Sequence, residues 1–318
     1  MDSMGWPDRP PSLPSPAWDR PFTLAGAACL FRPKAGRGAG GEGAGRRIIA
    51  ACLLLACAAQ APALELAPAV AASLWAERDG IAPGQSFTLG LRLLHAPGWH
   101  SYWAVPGDSG LPTRLSWRLP PGFRAGAIQW PAPRRLPIGP LVDYGYEGDT
   151  LLLTELQAAP DLPLGGDVRI EVRAQWLMCR DVCIPGSKDL SVTLPVRPAQ
   201  ALRATANAPA FEHARERVPR DLKLALASAT RSGTQVSLAF AAPAHGIPHR
   251  LDFFPLEPGR IEASAPQTLR TSGNMLQLGL TAAQPVGSDF RTLRGVLEAD
   301  GGPDAGGWAA TIEVPLTN

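Results

Sequence analysis

Cys179 and Cys183 are the residues of this chain whose type and spacing suggest chemistry. They stand four apart in Trp176-Leu-Met-Cys-Arg-Asp-Val-Cys-Ile-Pro-Gly186, and no other cysteine follows Cys57. The residues leading into them alternate. Val168, Ile170, Val172, Ala174, Trp176 and Met178 fall on one face, and Arg169, Glu171, Arg173, Gln175 and Leu177 on the other. That period of two predicts a half-buried antiparallel strand. Cys179 continues the second series, so it is expected to leave the strand on the side away from the core.

Geometry narrows what the pair can form. Four apart on an extended strand, the sulfurs lie too distant to bond. On a helix their Cβ atoms exceed the roughly 3.5–4.5 Å that a disulfide takes. A reversal through Arg180-Asp181-Val182 is the way to join them. So small a loop gains about 2 kcal/mol of chain entropy, against about 4.7 for a loop of 100 residues. A bond that stabilises little suits being made and broken. A structural brace in an exported β domain is the competing reading, and the spacing leaves both open. A metal site is expected to be absent, because His95, His100, His213, His245 and His249 form no cluster with the cysteines. Gly246 and Pro248 argue against a helix presenting His245 and His249 together.

The elements that must hold the pair come next. The chain has 318 residues, room for two domains after a leader, and a net charge of +2. Neither a basic stripe with interleaved aromatics nor a phosphate-cradling glycine loop is present, so a nucleic-acid partner is not expected. Residues 1–45 are rich in Pro, Gly and Arg without periodicity and are expected to be disordered. Arg46-Arg47, the apolar Ile48–Ala59 and the small residues near Ala61 and Ala63 follow the order of a secretory signal peptide. Such a signal ordinarily starts close to its basic pair, so translation is expected to begin nearer residue 40. Residues 1–63 are thus leader plus signal. Leu54-Leu55-Ala56-Cys57 resembles a lipidation box, ranked below plain secretion.

From residue 64 to 198 the pattern is all β. Phe87, Leu89, Leu91 and Leu93 alternate with polar or small residues, as do Leu115 and Trp117. Leu151-Leu152-Leu153 is a solid apolar run, and Leu190, Val192 and Leu194 follow the cysteine turn. Pro/Gly-rich loops between strands predict a sandwich. Residues 199–220 break the pattern and read as a linker, with a short helix near Phe211–Val218 ending before Pro219. Residues 221–318 carry a second β run: Leu222, Leu224 and Leu226; Val236, Leu238 and Phe240; Leu276, Leu278 and Leu280; Ile312, Val314 and Leu316. The expected fold is therefore two tandem β-sandwiches, and no apolar stretch after the leader is long enough to span a membrane.

Several segments together resemble a known family. Gly98-Trp-His-Ser-Tyr-Trp103, Pro106-Gly-Asp-Ser-Gly-Leu-Pro112, Gln129-Trp-Pro-Ala-Pro133, Tyr144-Gly-Tyr-Glu-Gly148 and Trp176–Gly186 are similar to the periplasmic N-terminal region of DsbD-type thiol:disulfide interchange proteins. They resemble in particular the branch that includes the copper-sensitivity suppressor ScsB, and Phe253–Ile261 resembles that branch's second β domain. The resemblance implies an immunoglobulin-like fold for both sandwiches. It also implies a redox pair, Cys179 and Cys183, that takes electrons from a partner and reduces periplasmic disulfide proteins without a cofactor. Asp143, Tyr144, Tyr146 and Glu147 fall where the family has a cap loop over the disulfide, with Gly145 supplying freedom to open. His100 and Tyr102 fall where it has polar aromatics near the sulfurs. A carboxylate such as Asp143 or Glu147 beside a thiol would raise its pKa.

Two departures qualify the transfer. Three residues separate the cysteines, fewer than in DsbD itself. The family's multi-helix membrane domain and thioredoxin-like C-terminal domain do not occur in the sequence. The implied electron source is thus a separate DsbD-type membrane protein, or the chain is one product of a truncated or split gene. The implied clients are periplasmic thioredoxin-like proteins. The alternative is a non-catalytic periplasmic adaptor, in copper tolerance or cytochrome c maturation, whose disulfide braces a turn.

Overall fold

The computed structural model describes residues 69–243, 246–287, 289–300, 302 and 306–317. The expected leader, signal peptide and Cys57 lie outside these residues. Among them, no helix is long and apolar enough to cross a membrane.

The first half is built from ten strands: β1 (Val70–Ala76), β2 (Ser86–His95), β3 (His100–Gly107), β4 (Arg114–Arg118), β5 (Arg124–Gln129), β6 (Arg134–Ile138), β7 (Leu141–Glu147), β8 (Asp149–Gln157), β9 (Asp167–Cys179) and β10 (Cys183–Pro195). One sheet runs β1-β2-β8-β5. The other runs β10-β9-β3-β7-β6, with β4 also paired to β9. The two sheets close on each other because each strand alternates. Phe87 and Leu89 of β2 and Leu156 of β8 meet Ile170 of β9 and Leu194 of β10 in one buried cluster. Burying each such side chain contributes about 1.5–3 kcal/mol. The expected all-β, immunoglobulin-like sandwich is what the chain forms.

The run Leu151-Leu152-Leu153 has no polar face because β8 is covered on both sides. Leu152 points into the sandwich, while Leu151 and Leu153 receive Phe211 and Ala214 of helix α1 (Ala208–Arg217). This helix lies within the segment 199–220 and docks on the sandwich through a fully buried Phe211. It stops at Val218, which is extended, as the residue before a proline is disposed to be.

Eight further strands follow: β11 (Arg220–Asp221), β12 (Ser228–Ser232), β13 (Gln235–Ala241), β14 (Leu251–Pro255), β15 (Thr268–Ser272), β16 (Met275–Thr281), β17 (Thr292–Ala299) and β18 (Trp308–Thr317). They form a continuous sheet, β14-β17-β18-β12-β13-β16-β15, with β11 beside β18. Val236, Leu238 and Leu276 share a core with Phe253, Leu293 and Ile312, so the sheet folds over on itself. One expectation is corrected here. Leu222, Leu224 and Leu226 do not form a strand, since the chain leaves β18 after Leu222, and Leu226 has φ +56° and is 76% exposed. Alternation alone cannot detect a residue turned into the left-handed region.

The two sandwiches share buried side chains. Phe254 of β14 and Val296 of β17 join Trp103, Tyr144 and Ala132 in one apolar cluster. The Phe254 ring meets Tyr144 edge-on at 5.0 Å and Trp103 at 6.2 Å, a favoured aromatic geometry.

Candidate active site

The cysteines close the tip of the β9–β10 hairpin. Cys179 and Cys183 are directly opposite in the register and disulfide-bonded, with Cα atoms 4.1 Å apart. Arg180, Asp181 and Val182 make the reversal, closed by Arg180 N–H donating to the Val182 carbonyl at 3.3 Å. The two halves of the bond differ. Cys183 starts an edge strand and is exposed, whereas Cys179 is only 2% exposed. The expectation for Cys179 therefore needs correcting: it does leave β9 on the face away from the sandwich core, but that face is covered.

What covers it follows from register. His100 of β3 is the cross-strand partner of Cys179, and Tyr102, two residues on, shares its face. The Tyr102 hydroxyl donates to Cys179 Sγ at 2.9 Å and lies 3.8 Å from Cys183 Sγ. His100 and Tyr102 meet edge-on at 5.2 Å. On the other side of β3, Glu147 pairs with His100 and Gly145 with Tyr102. Alternation along β7 then sends Asp143 and Glu147 to the sulfur side, and Tyr144 and Tyr146 to the opposite one.

The stretch Asp143–Glu147, expected as a cap loop, is thus an ordered strand, because it pairs with β3 on one side and β6 on the other. Tyr144 packs on Phe254, and Tyr146 donates its hydroxyl to the Pro131 carbonyl at 2.8 Å. Neither ring shields the sulfurs. Gly145 is required for closeness, not opening: a Cβ there would strike the Ser101 carbonyl oxygen. Glu147 is exposed. Asp143 is fully buried, with Oδ2 4.0 Å from His100 Nε2, and it accepts the Ser109 N–H and hydroxyl, each at 2.9 Å.

The electrostatics follow from burial. Desolvation raises the Tyr102 hydroxyl to about 12, with the Asp143 charge adding to it, so the phenol remains a donor at physiological pH. Desolvation lowers His100, opposed by Asp143 and Glu147, and so favours a neutral ring. His95 is lowered for the same reason. It bridges the Gly148 carbonyl at 2.7 Å and the Ser101 hydroxyl at 2.8 Å, tying β2 to β3 behind the site. Among the described residues, no group of three or more His, Cys, Asp or Glu side chains could hold a metal ion.

Ser109, Gly110 and His95 were given no role from the sequence, although Ser109 and Gly110 lie in the Pro106–Pro112 segment that carries the resemblance. The signal available for the first two was the turn-forming composition Gly107-Asp-Ser-Gly110, whose two glycines the structure places at positive φ. For His95 there was none, since a lone histidine at a strand end has no pattern.

The sandwich carries a disulfide with one covered and one exposed cysteine, an arrangement that thiol–disulfide exchange can use. Residues 71–195 match the family described as thiol:disulfide interchange protein DsbD, N-terminal. Among solved structures, the N-terminal periplasmic domain of ScsB from Proteus mirabilis aligns with 77% of this chain and 92% of its own, at 17% identity and a TM-score of 0.56. That likeness shows a shared fold, extending well past residue 195. An I-band fragment of titin (10% identity, TM-score 0.18, 77% and 65% covered) and the periplasmic chaperone SfaE (12%, 0.20, 77% and 99%) also align. No curated protein matches the chain.

Proposed function

We propose that this protein is a periplasmic electron relay that reduces client disulfides through Cys179 and Cys183. The observation that carries the reading is the asymmetry of the bond: an exposed Cys183 joined to a covered Cys179 that already receives the Tyr102 hydroxyl.

The exchange follows from that asymmetry. A donor thiolate attacks Cys183 Sγ, forming a donor–Cys183 disulfide as the Cys179–Cys183 bond breaks. Cys179 leaves as a thiolate, stabilised by the Tyr102 hydrogen bond and then protonated. The donor's second thiolate attacks its own sulfur in the mixed disulfide and frees Cys183. The donor ends oxidised and the pair reduced by two electrons. In the second half, the Cys183 thiolate attacks a client disulfide and Cys179 resolves the mixed disulfide, regenerating the bond and releasing a reduced client. The proposed donor is a separate DsbD-type membrane protein, and the proposed clients are periplasmic thioredoxin-like proteins. Val182 and Ile184, 61% and 41% exposed beside Cys183, give a partner an apolar rim. Asp143, Tyr102 and His100 support the exchange. In the proposed organisation residues 64–198 are the redox domain and residues 221–318 the domain that buttresses it.

The test is trapping together with a potential. Cys179→Ser should accumulate a mixed disulfide through Cys183, and Cys183→Ser should not. A reduction potential well below about −300 mV, with no trapped species, would refute the relay and leave an adaptor with a structural brace.

A further inference from the structure

The covered state of Cys179 depends on a segment outside the cysteine hairpin. Between β3 and β4 the chain makes a strap, residues 107–112, that crosses the Tyr102 ring. Gly110 lies so close to it that a Cβ would collide with three ring carbons, and Tyr102 is left 1% exposed. Tyr102 and Pro112 form an isolated bridge where the strap returns. The strap is held to β7 by side chains. Ser109 gives both its N–H and its hydroxyl to the Asp143 carboxylate, whose two oxygens lie 2.9 Å from Ser109 Oγ. Asp108 N–H donates to the Val142 carbonyl at 3.1 Å, and Asp108 Oδ2 accepts Val142 N–H at 2.8 Å. Gly107 and Gly110, at φ +90° and +96°, flank these anchors. Leu111 at the outer turn is exposed.

We propose that Ser109 is a positioning residue that latches the strap 107–112 on Asp143, and that the latched strap directs exchange to Cys183 by locking Tyr102 over Cys179. The inference rests on the relay reading for its purpose, but not for its geometry. With the latch closed, the Tyr102 ring has no room to rotate about its side-chain bonds. Its hydroxyl stays on Cys179 Sγ, and an incoming thiolate meets Cys183 alone. With the latch open, Gly110 lifts from the ring, Tyr102 can swing aside, and Cys179 becomes a second target. Attack at Cys179 would place the partner on the sulfur that should resolve the mixed disulfide, and the cycle would stall. Ser109 touches neither sulfur in this scheme. It acts through Asp143 and Tyr102, both of which lie within interaction range of one another and of Ser109.

The experiment isolates Cys179 in the full chain carrying Cys183→Ser, and reads its alkylation by iodoacetamide in the peptide that contains it. Adding Ser109→Ala should speed alkylation at least tenfold and raise the pH midpoint of the rate, because the thiolate loses the fixed Tyr102 donor. Ser109→Thr, which keeps both donors, should restore the slow rate and the lower midpoint. Equal rates and midpoints in the three chains would overturn the latch. An unmutated, oxidised chain gives an independent reading should Ser109→Ala not fold. Its Ser109 amide should exchange hydrogen at least 100-fold more slowly than that of Leu111, and equal exchange would overturn the proposal. Neither readout requires electron transfer, so a failed latch and a failed relay give different results.

Discussion

Tyr102→Phe separates the hydroxyl from the ring that carries it. The ring still fills the space between Gly110 and Cys179, so packing is kept and the 2.9 Å donation to Cys179 Sγ is lost. A hydrogen bond to a charged acceptor is worth about 1.5–3 kcal/mol, a factor of roughly 10 to 150 in an equilibrium. Only part of the charge has reached the leaving sulfur in the transition state, so the lower figure applies to rate. Reduction of the disulfide by dithiothreitol should slow about tenfold. Because the phenol holds its proton up to about pH 12, the effect should be constant across the accessible pH range rather than tracking a phenolate. Stopped-flow tryptophan fluorescence, with Trp176 and Trp99 near the hairpin, would follow the reaction. Rates within twofold of the parent chain from pH 6 to 9 would refute the claim that this hydroxyl stabilises the Cys179 thiolate.

Further outcomes are expected from the packing and the buried charges. Gly145→Ala should cost about 1–3 kcal/mol in urea unfolding, since its methyl group meets the Ser101 backbone of the neighbouring β3. Phe254→Ala should cost about 3–5 kcal/mol, and it should broaden the NMR signals of Trp103 and Tyr144 as their shared contact is lost. His95 and His100 are held below 6.5 by burial, so the unfolded chain binds more protons and their contribution to stability is lost as pH falls below about 6.5; thermal melts between pH 7 and 5 would show it. Glu298 has the opposite sign. Burial and the Asp252 charge raise its carboxyl to about 7, so the folded chain holds that proton and loses stability as pH rises from about 4.5 to 7. Glu298→Gln should remove this loss, worth roughly 3 kcal/mol at most, in melts from pH 5 to 8.

The hairpin was legible in the sequence because its information is local. Strict alternation into Cys179, a three-residue reversal and a matching strand afterward leave few other ways to arrange the chain. The sandwich class was legible for the same reason. The resemblance named His100, Tyr102 and Asp143, but their arrangement about the sulfurs was not legible. Asp143–Glu147, expected as a cap loop through the family resemblance, becomes a strand because β3 and β6 lie on either side. That pairing divides the segment, placing Asp143 beside His100 and turning Tyr144 toward Phe254.

The amino-acid order by itself determined that two sulfurs meet across a tight turn at the end of a half-buried strand, because period and spacing act over a few residues. Which sulfur is covered was decided by the tertiary structure. Tyr102, Ser109 and Asp143 lie 34 to 77 positions away along the chain from the partners they hold, and only the registry of β3 against β7 and β9 brings them to one face. A cysteine's exposure is a property of what the rest of the fold lays over it, and no local pattern encodes that.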